Sequence, residues 1–172
     1  MLKNKYLITL LLCIYVLCAV VILIPSSTTK KQTYSIEKIA QLLSKDHIDI
    51  HSAQAEFKQS ELKICLPMSL SPILNKQLKN VENFSLSVAF EDQFRDVMSL
   101  PTNVIPIANN QVAYTDLYSF EISFTVPTNA RTTDISRFLE NTHPSLELHF
   151  KNKNNETVAS LTDIPLTIHL NT

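Results

Sequence analysis

The stretch Tyr118-Ser-Phe-Glu-Ile-Ser-Phe-Thr-Val126 decides the fold class, because apolar and polar side chains alternate along all nine residues. Successive side chains of a β-strand point to opposite faces of the sheet, so Phe120, Ile122 and Phe124 would share one face. The polar residues between them would share the other. This pattern predicts a strand of a sheet with one buried and one solvated face.

The same alternation recurs along the chain. Further strands are predicted at residues 84–90, 146–150 and 166–170, with weaker ones at 112–114 and 157–162. The alternating residues at 47–51, 53–57 and 62–66 predict one or two more strands. The strand at 62–66 is expected to end at Pro67. Seven to nine short strands separated by turns predict a mainly β fold, either an antiparallel β-sandwich or an open barrel.

Two or three short helices accompany the strands. They are predicted at residues 34–45, 71–79 and 133–140. The pair Ser71-Pro72 has the pattern of an N-cap followed by proline at the first helical position. Thr132 or Thr133 is expected to cap the last of these helices.

The longest apolar run of the chain lies at residues 6–24, where YLITLLLCIYVLCAVVILI contains no charge, proline or glycine. As a helix it would be about 28 Å long, close to the hydrocarbon thickness of a bilayer. The sequence therefore predicts a signal-anchor helix in residues 1–25, a juxtamembrane linker at 26–33 and a β-sandwich domain with an N-terminal helix at 34–172. A cleaved signal peptide is the alternative, although such peptides have a shorter apolar core.

The orientation of this anchor is set by its flanks. Lys3 and Lys5 precede the run, and Lys30 and Lys31 follow it, so the charges alone give little bias. A five-residue tail is an ordinary start for a signal anchor, which favours an N-terminus inside the cell. The protein is then expected to be a single-pass membrane protein whose C-terminal domain is periplasmic or extracellular.

The chain contains no glycine. At the usual frequency of about 7%, a chain of this length would carry about 12. Phosphate-binding loops, dinucleotide-binding fingerprints and the nucleophile elbow of hydrolases all need glycine where the backbone approaches a ligand or takes a positive φ. The composition therefore excludes those classes of enzyme, and it predicts turns made by Asn, Asp, Ser and Pro.

Charge limits the kinds of partner that the domain can bind, and cysteine content limits the ways in which it can be stabilised. Two of the 15 basic residues, Lys3 and Lys5, precede the apolar run, so the chain that follows this run has 13 basic against 16 acidic residues and a net charge of −3. This balance gives no cationic surface for nucleic acid. Only Cys65 of the three cysteines lies in the domain, so no disulfide can form within it and the hydrophobic core must stabilise the fold.

One candidate metal site is the alternating segment from His47 to His51. His47, Asp49 and His51 would project from one face of a strand, and imidazole with carboxylate suits zinc or copper. The alternative is that Ile48 and Ile50 belong to the core and the three polar residues are solvated. No fourth ligand lies nearby in the sequence, so no metal site and no cofactor is assigned.

Two further sets of residues have a chemical interpretation. Cys65 could act as a nucleophile if His143, His149 or His169 were its base, but nothing in the sequence lowers its pKa. The carboxylates of Glu91, Asp92 and Asp96 could do acid-base work if burial separated their pKa values. They follow the end of a strand, however, and a solvated loop is expected there.

The functional prediction is a membrane-anchored domain that acts as a protein-interaction or assembly module of an envelope complex. It would contact the bilayer through its helix and other proteins through its domain. The alternative is an anchored binding module for a lipid or another hydrophobic ligand, in a cleft of the sandwich. A metal- or thiol-dependent enzyme is the third alternative, and the chain is predicted not to be an enzyme.

Overall fold

The computed structural model describes residues 33–50 and 52–170. The nine strands are β1 Ile48–Ile50, β2 Ala53–Lys58, β3 Glu61–Leu70, β4 Ser85–Phe90, β5 Val104–Ile107, β6 Val112–Tyr114, β7 Ser119–Pro127, β8 Ser145–Lys151 and β9 Thr157–Leu170. The α-helices are α1 Pro72–Leu78, α2 Asp92–Met98 and α3 Thr132–Asn141, and 3-10 helices cover Ile36–Leu42 and Asn109–Gln111. The predicted mainly β fold is confirmed.

The strands form one mixed sheet in the order β5-β4-β8-β9-β2-β3-β7-β6, and β1 pairs with β3. This arrangement is consistent with a sandwich or an open sheet. Every pair is antiparallel except β2 with β9, which run parallel from Ala53 beside Leu166 to Phe57 beside Leu170. The prediction of an antiparallel fold is therefore wrong for this central pair, because alternation within a strand does not indicate the direction of its neighbour.

Strand β9 joins the two halves of this sheet. Its residues up to Pro165 pair with β8, and its residues from Leu166 pair with β2. Asp163, with a φ of 57°, lies where the register with β8 is irregular. The two strands predicted at 157–162 and 166–170 are thus one strand with a local irregularity, a common device where a strand passes between two sheets.

Pro67 does not end β3 as predicted. Leu70 N donates to Tyr118 O, so in the alternating pattern of an antiparallel ladder the nitrogen of Pro67 points away from β7. On that other side β3 pairs with β1 at Met68 and with β2 at Cys65. Pro67 therefore faces the break between β1 and β2, where its missing N–H removes no ladder hydrogen bond.

Turns without glycine use the residue types that composition predicted, with one exception. Positive φ occurs at Gln59, Ser60, Asn83, Ser99, Asn155 and Asp163. The two-residue connection between β2 and β3 has φ of 49° at Gln59 and 68° at Ser60, as a type I′ hairpin turn requires. Glutamine is the unexpected member of this set.

The core follows the predicted alternation. In β7 the exposed fractions of Phe120, Ile122 and Phe124 are 6%, 0% and 3%, and the polar side chains between them are half-buried. One cluster of buried apolar side chains extends through both halves of the sheet. Ser87 departs from the predicted solvated position, because it is only 2% exposed.

The helices confirm some predictions and correct others. Helix α1 begins as predicted, with Ser71 Oγ accepting from Leu74 N at 3.3 Å. The first helix is a 3-10 helix that is shorter than the predicted segment. The N-cap of α3 is Arg131 instead of a threonine. Helix α2 was expected to be a loop, although Phe94 and Met98 are spaced to share its buried face.

The predicted anchor and nearly all of the predicted linker lie outside the described residues. Within the ranges that the structure describes, no helix has the length and hydropathy needed to cross a membrane. The contacts group the chain from residue 33 onward into one compact unit.

Candidate functional site

The sheet is open between its two end strands, β5 and β6. The 3-10 helix Asn109–Gln111 connects them along the chain. Within the described ranges, however, β5 pairs only with β4 and β6 pairs only with β7. We call the gap between β5 and β6 the seam. Its position follows from the short connection, which brings the two ends of the strand order together.

Tyr114 shows that the inner face of the sheet is uncovered at the seam. It lies directly opposite Phe120 of β7, with ring centroids 6.2 Å apart, so both side chains belong to the core face. Phe120 is 6% exposed, whereas Tyr114 is 70% exposed. A strand that followed β6 would cover Tyr114, and among the described residues no strand occupies that place.

A cleft of about 370 Å³ opens beside Tyr114. We call it the seam cleft. Its walls are mostly apolar and come from both halves of the sheet, from α1 and from the segment that follows α1; they include Leu78, Phe84, Leu86, Val112, Phe120 and Phe150. Lys79 is the one charged side chain among the residues that line it. Pockets for ligands have this character, an apolar lining with few polar groups.

An exposed apolar patch adjoins the seam cleft. The large apolar side chains that the described part of the chain leaves exposed are Ile73, Tyr114, Leu117 and Tyr118, between 40% and 70% exposed. Tyr114 is the last residue of β6, Leu117 and Tyr118 lie in the connection from β6 to β7, and Ile73 lies at the start of α1. Asn75 of α1 is hydrogen-bonded to that connection. Single exposed apolar residues are ordinary on a protein surface, whereas several on adjoining elements are typical of surfaces that bind other molecules.

The connection that carries Leu117 and Tyr118 is held in place. Asp116 Oδ1 accepts from Tyr118 N and from Ser119 N, each at 2.8 Å. These hydrogen bonds lower the pKa of Asp116, so the carboxylate is ionised at neutral pH. Buried Asn75 of α1 donates from Nδ2 to Leu117 O at 3.0 Å. Leu117 and Tyr118 are therefore presented by a fixed loop, which reduces the entropy lost on binding.

The structure describes two of the three candidate metal ligands. His47 lies in the turn before β1, and its Nδ1 is 3.0 Å from Ser71 Oγ. Asp49 lies in β1 and is exposed, and His51 lies outside the described residues. No group of three side chains able to hold a metal ion occurs within the ranges that the structure describes.

Cys65 is not activated as a nucleophile. Burial raises the pKa of its thiol to about 11, and a hydrogen bond with Glu121 adds to this shift. Strand β2 separates β3 from β9, and its Gln54 Oε1 lies 3.0 Å from His169 Nε2. His143 lies in the connection between α3 and β8, and His149 lies in β8, in the other part of the sheet order. A neutral thiol is a poor nucleophile.

The predicted carboxylate set is solvated, as expected, but helical. Arg95 bridges Asp92 and Asp96 on the exposed side of α2, at 3.2 and 2.6 Å. Glu91 accepts a hydrogen bond from Ser145 Oγ at 2.6 Å. Pairing with Asp96 raises the pKa of the Arg95 guanidinium. These are surface ion pairs with the modest energies of that class.

The structure brings together one set of residues that the sequence did not indicate. Ser87 of β4 lies opposite His149 of β8, and His149 Nε2 is 2.9 Å from Glu147 Oε2. Serine, histidine and glutamate are the residue types of a hydrolytic triad. The hydroxyl of Ser87 has no hydrogen-bond partner among the residues that the structure describes, but its side chain is 2% exposed and cannot meet a substrate. The sequence signal for this set would have been the alternation of polar residues in the two strands, β4 and β8.

Comparisons with protein-family models, with curated proteins and with solved structures find no match to this chain. A function is therefore inferred from the geometry of the seam.

Proposed function

We propose that this chain is a single-pass membrane-anchored protein whose extracytoplasmic domain is a protein-interaction or assembly module of an envelope complex. Its helix would fix its location in the bilayer, and the domain would contact its partner at the seam. The uncharged apolar run at residues 6–24 supports the anchor. The exposed patch beside the seam supports the contact.

Tyr114 is the observation that carries the proposal. An aromatic side chain on the core face of a sheet is normally covered by the next strand, yet this one is 70% exposed. Aromatic residues are enriched at the centres of protein interfaces, where they supply large contact areas. A partner that covers Tyr114, Leu117 and Tyr118 would bury apolar surface without any rearrangement of the sheet.

Site-specific photo-cross-linking in cells tests this proposal. A photoreactive phenylalanine analogue at Leu117 of the full chain should capture a discrete protein partner. The same analogue at Thr125, which is exposed on the opposite face of β7, is the matched control. Equal capture at both positions, or capture at Thr125 alone, contradicts the proposal.

The anchor has its own test. Mass spectrometry of the protein from the membrane fraction should find the chain intact from its first residues. A mature chain beginning near Ser26 would show that the apolar run is a cleaved signal peptide.

The second candidate function is an anchored module that binds a lipid or another hydrophobic ligand. The seam cleft favours it, because its volume of about 370 Å³ lies in the range of small-molecule pockets. Half-buried Leu78, Phe84 and Leu86 offer apolar surface to such a ligand. Native mass spectrometry of the chain purified in mild detergent should then detect a bound lipid, and Leu86→Asp should abolish that signal.

A further inference from the structure

We infer that the partner contributes an extended segment that pairs with the free edge of β6, with apolar side chains at every second position and an acidic residue near Lys79. This inference rests on the proposed function and specifies the segment that would be recognised. It depends on a difference between the two strand edges at the seam and on the charge of the seam cleft.

The free edge of β6 has open hydrogen-bonding groups. Thr115 N donates to Ser119 O, so in the alternating ladder Val112 and Tyr114 point their backbone groups away from β7. The N–H of Val112 is used by Asn109 O. The C=O of Val112 and both backbone groups of Tyr114 have no protein partner in the described part of the chain.

The outer edge of β5 is largely closed, and among the described residues its open backbone group is the C=O of Pro106. Phe90 N donates to Asn103 O, which by the same alternation turns the backbone groups of Val104 and Pro106 away from β4. Thr102 Oγ1 accepts from Val104 N at 3.2 Å and donates to Val104 O at 3.3 Å. Pro106 has no N–H to offer. Proline and occupied groups are the ways in which edges are protected from pairing, so an added strand pairs with β6.

A strand paired with β6 would extend the core face over the seam cleft. Its alternate side chains would point into the cleft, toward the apolar walls that include Leu86, Phe120 and Phe150. Binding by strand addition combines main-chain hydrogen bonds with pockets for every second side chain, and the seam offers both.

The charge of the seam cleft specifies one further property of the segment. Lys79 has no carboxylate within ion-pair distance among the described residues, and it is the one charged side chain of the lining. An acidic residue in the segment would complement this charge, whereas a basic residue there would be repelled.

The test uses the full chain in nanodiscs and synthetic nine-residue peptides. One peptide alternates threonine with valine and carries a glutamate at one end, and a second carries the glutamate at the other end. A control peptide has the same composition with the valines in one block. Saturation with one of the alternating peptides should slow hydrogen exchange of the Tyr114 amide at least tenfold, and the block peptide should not.

Variants at one position separate the backbone contact from the side-chain contact. Tyr114→Ala keeps the N–H and removes the ring, whereas Tyr114→Pro removes both. Exchange of the Ile122 amide in β7 confirms that each variant is folded. The alternating peptide should bind Tyr114→Pro at least tenfold more weakly than Tyr114→Ala; equal affinities would overturn strand addition.

Lys79→Gln tests the charge. It should weaken binding of the glutamate peptide several-fold and leave a glutamine-ended peptide unaffected. An equal loss for both peptides would overturn the acidic requirement.

Two other occupants give different results, and each would overturn the inference. Dodecanoate that binds the cleft without protecting the Tyr114 amide, while neither alternating peptide binds, would identify an amphiphile site. Protection of Tyr114 that rises with protein concentration without any peptide would identify a second copy of this chain. If Leu117 cross-links to a partner but no peptide slows exchange of the Tyr114 amide, the proposed function is retained and strand addition is wrong.

Discussion

Strands β6 and β7 are neighbours with similar residue types on the core face, yet their environments differ. Phe120 of β7 is covered on both sides by β3 and β6, whereas Tyr114 of β6 has a neighbour on one side only. Their exposed fractions, 6% and 70%, therefore reflect the position of each strand in the sheet. The comparison distinguishes the centre of the sheet, which includes β7 and supplies stability, from the seam beside β6, which is available for contact.

The largest expected effect lies in the centre. Phe124→Ala should destabilise the domain by about 3–5 kcal/mol, because it removes a buried ring and leaves a cavity. Chemical denaturation of the purified chain measures this change. Ser123→Ala, on the other face of the same strand, should be nearly neutral. Equal losses at both positions would mean that β7 is buried on both faces.

The next expected effect is a slow reaction of Cys65 with alkylating reagents. With a thiol pKa of about 11, Cys65 should react with iodoacetamide at pH 8 about a hundredfold more slowly than an ordinary cysteine. Its rate should rise about tenfold per pH unit until the pH approaches that pKa, because only the thiolate reacts. Peptide-level mass spectrometry measures the rate. Glu121→Gln should increase it, since Glu121 contributes to the raised pKa.

Asn75 connects α1 to the seam. Asn75→Ala should cost about 1–2 kcal/mol, because the buried amide loses its hydrogen bond to Leu117 O. Hydrogen exchange should accelerate selectively in residues 115–118. Acceleration throughout β3 and β7 would show instead that the centre depends on this contact.

The β2–β3 turn offers a gain in stability. Ser60→Gly should stabilise the domain by about 0.5–1 kcal/mol, because glycine takes a positive φ without the steric penalty of a side chain. The midpoint of thermal unfolding measures the gain. Ser145→Gly, within a strand, should have the opposite sign.

The smallest expected effect is at Tyr114. Tyr114→Ala should change the free energy of unfolding by at most about 0.5 kcal/mol, since exposed side chains contribute little to stability. A loss as large as that of Phe124→Ala would remove the distinction between centre and seam.

Alternation within the sequence was enough to predict most strands, because a half-buried strand imposes a period of two on its own residues. Strand β5 was missed, since Val104–Ile107 is short and contains proline. Helix α2 was missed, although the spacing of Phe94 and Met98 was available in the sequence.

The candidate site could not be predicted in the same way. Whether Tyr114 is buried depends on which strand lies beyond β6, and no local pattern contains that information. The edge of β5 is protected by a local contact between Thr102 and Val104, but its position at the seam depends on the order of the strands in the sheet. Neighbours in space decide both features.

Strand β9 has a consequence for synthesis of the protein. Because β9 is the one described strand that pairs with both β8 and β2, the two halves of the sheet stay unlinked until residues 157–170 have left the ribosome. Until then the edges of β2 and β8 are open on a nascent chain. The domain therefore acquires its complete sheet after translation of its last strand, and ribosome-bound chains that stop before residue 157 should be sensitive to protease.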